Sequence, residues 1–280
     1  MRRSQAIRIG RIDFTNVWPF FYYFPYERFQ GEVELVTQVP TQLNAAMAAG
    51  EIDIGPISSF AYGEHCEQYV LLPDMSVSAF RQVQSILLFH RKPLSELSGA
   101  SVALPTTSAT SVNLLKIILQ RFYGVEPVYH DAAPVLNDMM RTADAALLIG
   151  DHAIRESWLP HGWHVTDLAE EWTRRTGQWM SFAVCAVRKQ EAERHPELIA
   201  RVYEGFMESK RKSLGDMTAL VQEAQRQIGG DAAYWQRYFS TLTYEFGPDQ
   251  QAGLQLYYRY AWELGLLNKQ VPIQLWNDKY

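Results

Sequence analysis

The sequence predicts an α/β protein of two lobes with a ligand cleft between them. Three observations carry this. Short β-rich runs alternate with helical patterns in two successive series, the mark of parallel sheets with crossover helices. Two long apolar runs, Val83–His90 and Ser181–Val187, flank the second series. From Gln190 onward the pattern is helical almost to the end.

The first series begins with a strand from Ala6 to Ile12 and a second from Glu32 to Val39. Thr41 to Gly50 reads as a helix, with Thr41 as its N-cap and Gly50 as its terminator. Ile52 to Ile57 gives a third strand. Val83–His90 is a buried strand, and the polar, turn-rich stretch 91–99 marks a composition shift. The second series runs through a strand at Ser101–Leu104 and a helix at Thr110–Phe122. That helix carries apolar residues at Val112, Leu115, Ile118, Leu119 and Phe122, a 3.6-residue period. Val125–Tyr129 reads as a strand, Val135–Arg141 as a helix and Asp144–Ile149 as a buried strand. Ser181–Val187 follows, and Pro196 suits the first turn of a later helix. The two flanking strands are expected to carry the chain out and back. Lobe 1 is then discontinuous, 1–88 with 185–280, and lobe 2 is 89–184.

Composition narrows the function. The 280 residues hold 47% hydrophobic and 20% charged residues, an ordinary globular balance. The formal charge of −5 is spread along the chain, which argues against a nucleic-acid partner. Arg2 and Arg3 could open a signal peptide, but Arg8, Arg11 and Asp13 interrupt any apolar core for one. No run reaches the ~18 apolar residues of a membrane span, so a cytoplasmic protein without a membrane partner is expected. Cys66 and Cys185 match neither a zinc spacing nor a disulfide framework and read as packed, reduced thiols. His161 and His164 read as part of a surface loop rather than a metal site. The C-terminal aromatics, Tyr234 to Trp262, recur at helical spacing and read as core.

Small polar residues collect immediately after four predicted strands: 13–16, Ser58-Ser59, 106–111 and Gly150-Asp151. In a parallel sheet such junctions share one edge, and each opens a helix. Backbone N–H groups and hydroxyls there suit a small anion, most naturally a carboxylate. Helix capping alone accounts for any single one of them. The stretch Thr106, Thr107, Ser108, Ala109, Thr110, Ser111 exceeds that need, because five of its six residues carry hydroxyls. Ser85, inside an apolar strand, is a further candidate, with a plain backbone bond as the alternative.

Several segments together resemble the MqnA-type chorismate dehydratases of the futalosine route to menaquinone. They are 7–21, 43–62, 69–80, 83–89, 106–119, 144–154 and 168–187, in the family's order. The resemblance implies a type II periplasmic-binding-protein-like fold and cofactor-independent loss of water from chorismate, a dicarboxylate, giving 3-[(1-carboxyvinyl)oxy]benzoate. It implies no metal, flavin or nicotinamide. It carries over Asn16 from the family's S-Y-L-N motif, Ser58-Ser59 from P-I-S-S, Ser108–Ser111 from S-A-T-S and Gly150-Asp151 from G-D. Asn16 is expected to orient the departing hydroxyl or the side-chain carboxylate, and the Ser and Thr hydroxyls to hold the ring carboxylate. The proton goes either to the substrate's own enolpyruvyl carboxylate or to Asp151, unless Asp151 is simply a cap.

This chain departs from the family at three places. The N-terminal motif reads D-F-T-N. Arg81 enters after Ser78, either aiding a dianionic substrate at the cleft mouth or facing solvent. Gln178-Trp179-Met180 replaces an apolar L-P-F and is expected to reshape the cleft wall. Two other readings stay open. One is the 1,4-dihydroxy-6-naphthoate-forming lyase of the same pathway, whose S-P-C-P-N-D loop is missing here. The other is a non-catalytic small-carboxylate-binding protein, which would be exported or lipid-anchored. Oligomeric state, a homodimer included, is open at this level.

Overall fold

The computed structural model describes residues 6–277. Arg2 and Arg3, weighed above as the start of a signal peptide, lie outside the described residues. The first sheet opens with β1 (Ile7–Ile12), β2 (Val33–Gln38), β3 (Ile54–Ser58) and β4 (Tyr69–Ala79). The second holds β5 (Ile86–His90), β6 (Ser101–Pro105), β7 (Val128–Ala132), β8 (Ala145–Ile149) and β9 (His164–Asp167). The chain then returns to the first sheet with β10 (Met180–Arg188) and β11 (Leu242–Thr243). The sheet orders are β11-β4-β10-β3-β1-β2 and β7-β6-β8-β5-β9.

Both sheets are mixed. β1 lies parallel to β2 and β3, and β6 parallel to β7 and β8. β10 runs antiparallel between β3 and β4, and β5 antiparallel between β8 and β9. β3, β5 and β8 are buried at every residue. Helices cover both faces of such strands, which is why they read as unbroken apolar runs rather than as alternations.

Short helices α1 (Trp18–Phe21), α2 (Pro40–Ala49) and α3 (Ser59–His65) lie within the first series. The second carries α4 (Ala109–Ile117), α5 (Leu136–Thr142), α6 (Gly150–Ser157) and α7 (Leu168–Thr176). The tail is α8 (Lys189–Arg194), α9 (Pro196–Gly215), α10 (Thr218–Ile228), α11 (Ala232–Thr241) and α12 (Pro248–Glu263). Its aromatics are core: Trp235, Tyr238, Phe239, Tyr257 and Tyr258 are fully buried. Trp262, at the end of the same spacing, is exposed.

Several expectations shift. Val39 is the N-cap of α2 and Pro40 its first residue, so Thr41 already lies inside the helix. Gly50 does end it, in a left-handed conformation at φ +76°. α4 passes into a π-helix, Ile118–Tyr123, closed by Gly124 in the left-handed region. Pro127 follows, and the next strand therefore starts at Val128 rather than Val125. The boundaries expected at 88/89 and 184/185 fall inside β5 and β10. β5 pairs with the second sheet alone and β10 with the first alone, so the chain changes sheets at 80–85 and 168–179. An apolar run marks a strand buried on both faces, not the point where the chain leaves a sheet. The crossing is marked instead by turn backbone, with positive φ at Arg81 and Gln84.

Candidate active site

The ends of β1, β3, β6 and β8 feed the turn before α1 and the starts of α3, α4 and α6, all at one edge of their sheets. Between the lobes these junctions enclose a narrow cleft. Its polar lining is Asn16, Ser58, Ser85, Ser108, Ser111 and the Gly150 backbone. Its apolar walls include Ile12, Phe14, Ile86, Ile149 and Phe182. None of the lining residues is titratable. A wider, more open depression lies outside, between Arg175 and Arg259. None of the polar strand–helix junctions lines it, so the chemistry belongs to the cleft.

Each polar group is held in a definite orientation. Ser58 caps α3 by accepting from the Ala61 N–H at 3.3 Å. Asn44 clamps the same residue: Asn44 Nδ2 donates to Ser58 Oγ at 2.9 Å and Asn44 Oδ1 accepts from Ser58 N–H at 3.0 Å. Both bonds use the Ser58 oxygen or amide, which leaves its O–H for the cleft. Ser108 caps α4, and its hydroxyl meets that of Ser111 at 3.0 Å. One hydrogen serves that contact, so the pair keeps one O–H to donate. Ser85 Oγ receives the Tyr238 hydroxyl at 3.2 Å and sits 3.3 Å from the Val83 carbonyl. Asn16 Oδ1 is buried and has no hydrogen-bond partner. Gly150 sits at φ +58°, and a Cβ there would lie 2.8 Å from the Phe14 ring of the other lobe. Glycine is needed on both counts.

Other candidates do not reach the cleft. Ser59 is buried, donating to the Ser181 carbonyl at 2.7 Å, while its own carbonyl accepts from Tyr258 at 2.7 Å. Thr110 Oγ1 accepts from the Phe60 N–H at 3.0 Å, tying α4 to α3. Thr106 and Thr107 lie in the turn after β6, exposed and half-buried, outside the cleft lining. Asp151 is not the cap of α6, which is Ile149. It is held by Thr15, whose Oγ1 and N lie 2.6 Å and 3.4 Å from its Oδ1. Burial pushes its carboxyl above the ordinary carboxylate range, against the pull of Thr15. Arg81 is exposed on the crossing, its N–H on Thr173 Oγ1. Trp179 packs against Phe80 rather than forming a cleft wall. His161 stacks on Trp163, and His164 starts β9 beside His90. Asn44, Tyr238 and Phe182 were not singled out as site residues; each serves by position after folding, and no local pattern marks it.

The chemistry of this arrangement suits a flat, anionic molecule: apolar walls can take a ring, and hydroxyl and N–H donors can take carboxylate oxygens. It offers neutral stabilisation of developing negative charge and no base of its own inside the cleft.

A family model described as menaquinone biosynthesis matches residues 7–263. A chorismate dehydratase of Thermus thermophilus is 31% identical over 264 residues, covering 89% of this chain and 93% of the relative. Among solved structures, an Archaeoglobus fulgidus protein is 20% identical with a TM-score of 0.73, covering 95% of this chain and 100% of that one. The periplasmic aliphatic sulphonate-binding protein of Escherichia coli is 18% identical with a TM-score of 0.70, covering 98% and 92%. A Candida albicans protein described as having the generic periplasmic-binding-protein fold is 10% identical with a TM-score of 0.59, covering 98% and 99%. These likenesses establish the two-lobe periplasmic-binding-protein fold.

Proposed function

The chain belongs to the menaquinone-biosynthesis family, and from that membership we propose that it is a chorismate dehydratase, a hydro-lyase that converts chorismate to 3-[(1-carboxyvinyl)oxy]benzoate. The observation that carries the mechanism is the cleft lining, rich in neutral donors and free of titratable side chains. Chorismate is a dianion with a hydrogen on C3 and a hydroxyl on C4. Losing both makes the ring aromatic, so the driving force lies in the substrate. The protein's task is orientation and charge stabilisation.

In this reading the ring lies against Phe14, Ile86 and Phe182. Its C1 carboxylate takes the O–H groups of Ser58 and of the Ser108–Ser111 pair, with the N–H groups at the start of α4 behind them. Removing the C3 proton sends charge through the diene to that carboxylate, and the bonds strengthen as it arrives. Asn16 orients the departing C4 hydroxyl. The C3 proton goes to the substrate's own enolpyruvyl carboxylate, since no lining side chain is a base. Cys66 and Cys185 are free and buried, which supports a cytoplasmic setting. Among the described residues no helix is long and apolar enough to cross a membrane.

The test is purified protein with chorismate and a chelator, followed by chromatography. Chorismate should disappear as the aromatic product forms. Asn16→Ala should lower kcat by about 10²-fold, the usual effect of removing one oriented polar group. Full turnover in Asn16→Ala would remove that residue from the mechanism. Tight binding without turnover would favour a carboxylate-binding protein instead.

A further inference from the structure

Ser85 lines the cleft, yet the reaction above gives its hydroxyl no task. Its surroundings fix where that hydroxyl points. The backbone is held on both sides: Gln84 N–H donates to Asp167 Oδ2 at 2.7 Å, and the Ser85 carbonyl accepts from the Gly150 N–H at 2.7 Å. The side chain is met by Tyr238, fully buried on α11, whose O–H donates to Ser85 Oγ at 3.2 Å. One turn further, Thr241 Oγ1 accepts from Gln84 Nε2 at 3.1 Å, so one face of α11 grips two successive residues of the crossing. The helix is a stiff support. It runs into β11, which pairs with β4 of the first sheet. Trp158, at the end of α6, packs edge-on against its Tyr234 and Trp235, with ring centroids 5.1 and 6.2 Å apart. The Tyr238 ring meets Trp235 and Phe239, each at 5.5 Å.

Counting hydrogens gives the polarity. Each hydroxyl carries one. Tyr238 spends its hydrogen on a lone pair of Ser85 Oγ. Ser85 keeps its own, which faces the Val83 carbonyl at 3.3 Å. That contact lies outside the ~2.5–3.0 Å range of a good O–H···O bond, so this hydrogen is the one that turns to an acceptor in the cleft. As Ser85 donates there it becomes a better acceptor, and its bond from Tyr238 tightens. Ser85 also stands apart from the other hydroxyls. Ser58 and the Ser108–Ser111 pair lie at the starts of α3 and α4, which the Phe60 N–H and Thr110 Oγ1 tie together. Ser85 lies beside Gly150, and Phe14, two residues before Asn16, packs on Gly150. Ser85 therefore shares the end of the cleft given above to Asn16 and the C4 hydroxyl.

We propose that Tyr238 is a positioning residue that holds Ser85 as a hydrogen-bond donor to the oxygen leaving C4. This rests on the chorismate reading above. The C3–H bond breaks, its proton passing to the enolpyruvyl carboxylate and its electron pair ending as the C3–C4 double bond. The C4–O bond breaks, and its electron pair leaves with the oxygen. The Ser85 hydrogen bond strengthens as charge arrives there. The departing oxygen takes the proton held by the enolpyruvyl carboxyl and leaves as water, so chorismate gives product and water with no net proton change. Ser85 lends a hydrogen bond and keeps its proton, and nothing has to be restored between turnovers. Tyr238 touches no substrate and acts through Ser85 alone.

The test is a double-mutant cycle on the full chain: the parent, Ser85→Ala, Tyr238→Phe and the two together, assayed below the melting temperature of the least stable. Tyr238→Phe keeps the ring and its packing and removes only the hydroxyl. Ser85→Ala should lower kcat by about 10²-fold, the usual loss of one donor to developing charge. Tyr238→Phe should lower kcat by about 10-fold, short of the ~10²-fold that a misplacement of ~1 Å costs, with KM little changed. The double variant should match Ser85→Ala within about twofold, because the second change has nothing left to act through. A tyrosine that served stability alone would lower the melting temperature in both backgrounds and leave kcat where it was, which would overturn the proposal. Equal falls of kcat in both backgrounds would overturn it too, as would a raised KM at unchanged kcat. A parent chain that leaves chorismate untouched would overturn the reading of the reaction and the task of Ser85 with it. A parent that turns over while the two changes act independently would overturn the role of Tyr238 alone.

Discussion

At the residue scale, the cleft is built from positions that admit few alternatives. Gly150 is the clearest. Its backbone lies at φ +58°, and the Phe14 ring occupies the space a Cβ would need. Gly150→Ala should cost about 1–2 kcal/mol from backbone strain alone, more from the clash, and lower kcat as the lobes part. A melting curve and an activity assay on the same sample check both. Asn44 is the second such position. Asn44→Ala frees Ser58 on two sides, and KM for chorismate should rise several-fold while the melting temperature moves little. The sequence makes Ser58, Ser85, Ser108 and Ser111 legible, because hydroxyls after or inside apolar strands are conspicuous. It overstates Thr106 to Ser111. Residues three apart share a helix face, so Ser108 and Ser111 reach the cleft while Thr110 turns to the Phe60 N–H of α3. Thr15 is a small hydroxyl in the string that carries Asn16, and only its neighbours in space distinguish it.

At the element scale, the crossing at 80–85 is the least regular part of the path and the most tightly tied. Asp167, the cap of α7, accepts from the backbone N–H groups of Val83, Gln84, Ala169 and Glu170. Burial still pushes its carboxyl up to about 6. A folded-state pKa above the ordinary value means a stability contribution fully present below the usual carboxylate range and lost as pH rises through about 6. Asp167→Ala leaves buried N–H groups unpaired and should cost about 2–4 kcal/mol at neutral pH. Asp167→Asn should remove the stability change near that pH; denaturant titrations across pH check both. Neither Asp167 nor β4 was read from the sequence. In β4 the pair Pro73-Asp74 looks like a break, and Asp74 does take φ +51°. The strand continues because β10 pairs on both sides of it, with shifted register. The buried strands and amphipathic helices were legible because their periods are local; the boundaries were not, because a double-faced apolar strand looks the same in either sheet.

At the scale of the whole molecule, two sheets face each other across one cleft, and the bonds that join them also shape the site. Thr15 meets Asp151, Phe60 N–H meets Thr110, and Gln84 reaches Thr241. Two-lobe organisation was readable from the repeated β/α series, and the hydroxyl-rich junctions marked part of the cleft lining, while Asp151, also expected there, lies outside it. What the sequence leaves hidden is the contact of Thr15 with Asp151 and of Tyr238 with Ser85, which join segments far apart along the chain. The central claim is that this uncharged cleft dehydrates chorismate without help from an added metal or cofactor. Proton NMR of chorismate incubated with the purified chain and a chelator tests it most directly. The account predicts that the ring-diene signals give way to those of 3-[(1-carboxyvinyl)oxy]benzoate, with the enolpyruvyl group intact. Chorismate left unchanged, or converted to a product that has lost its enolpyruvyl group, would contradict it.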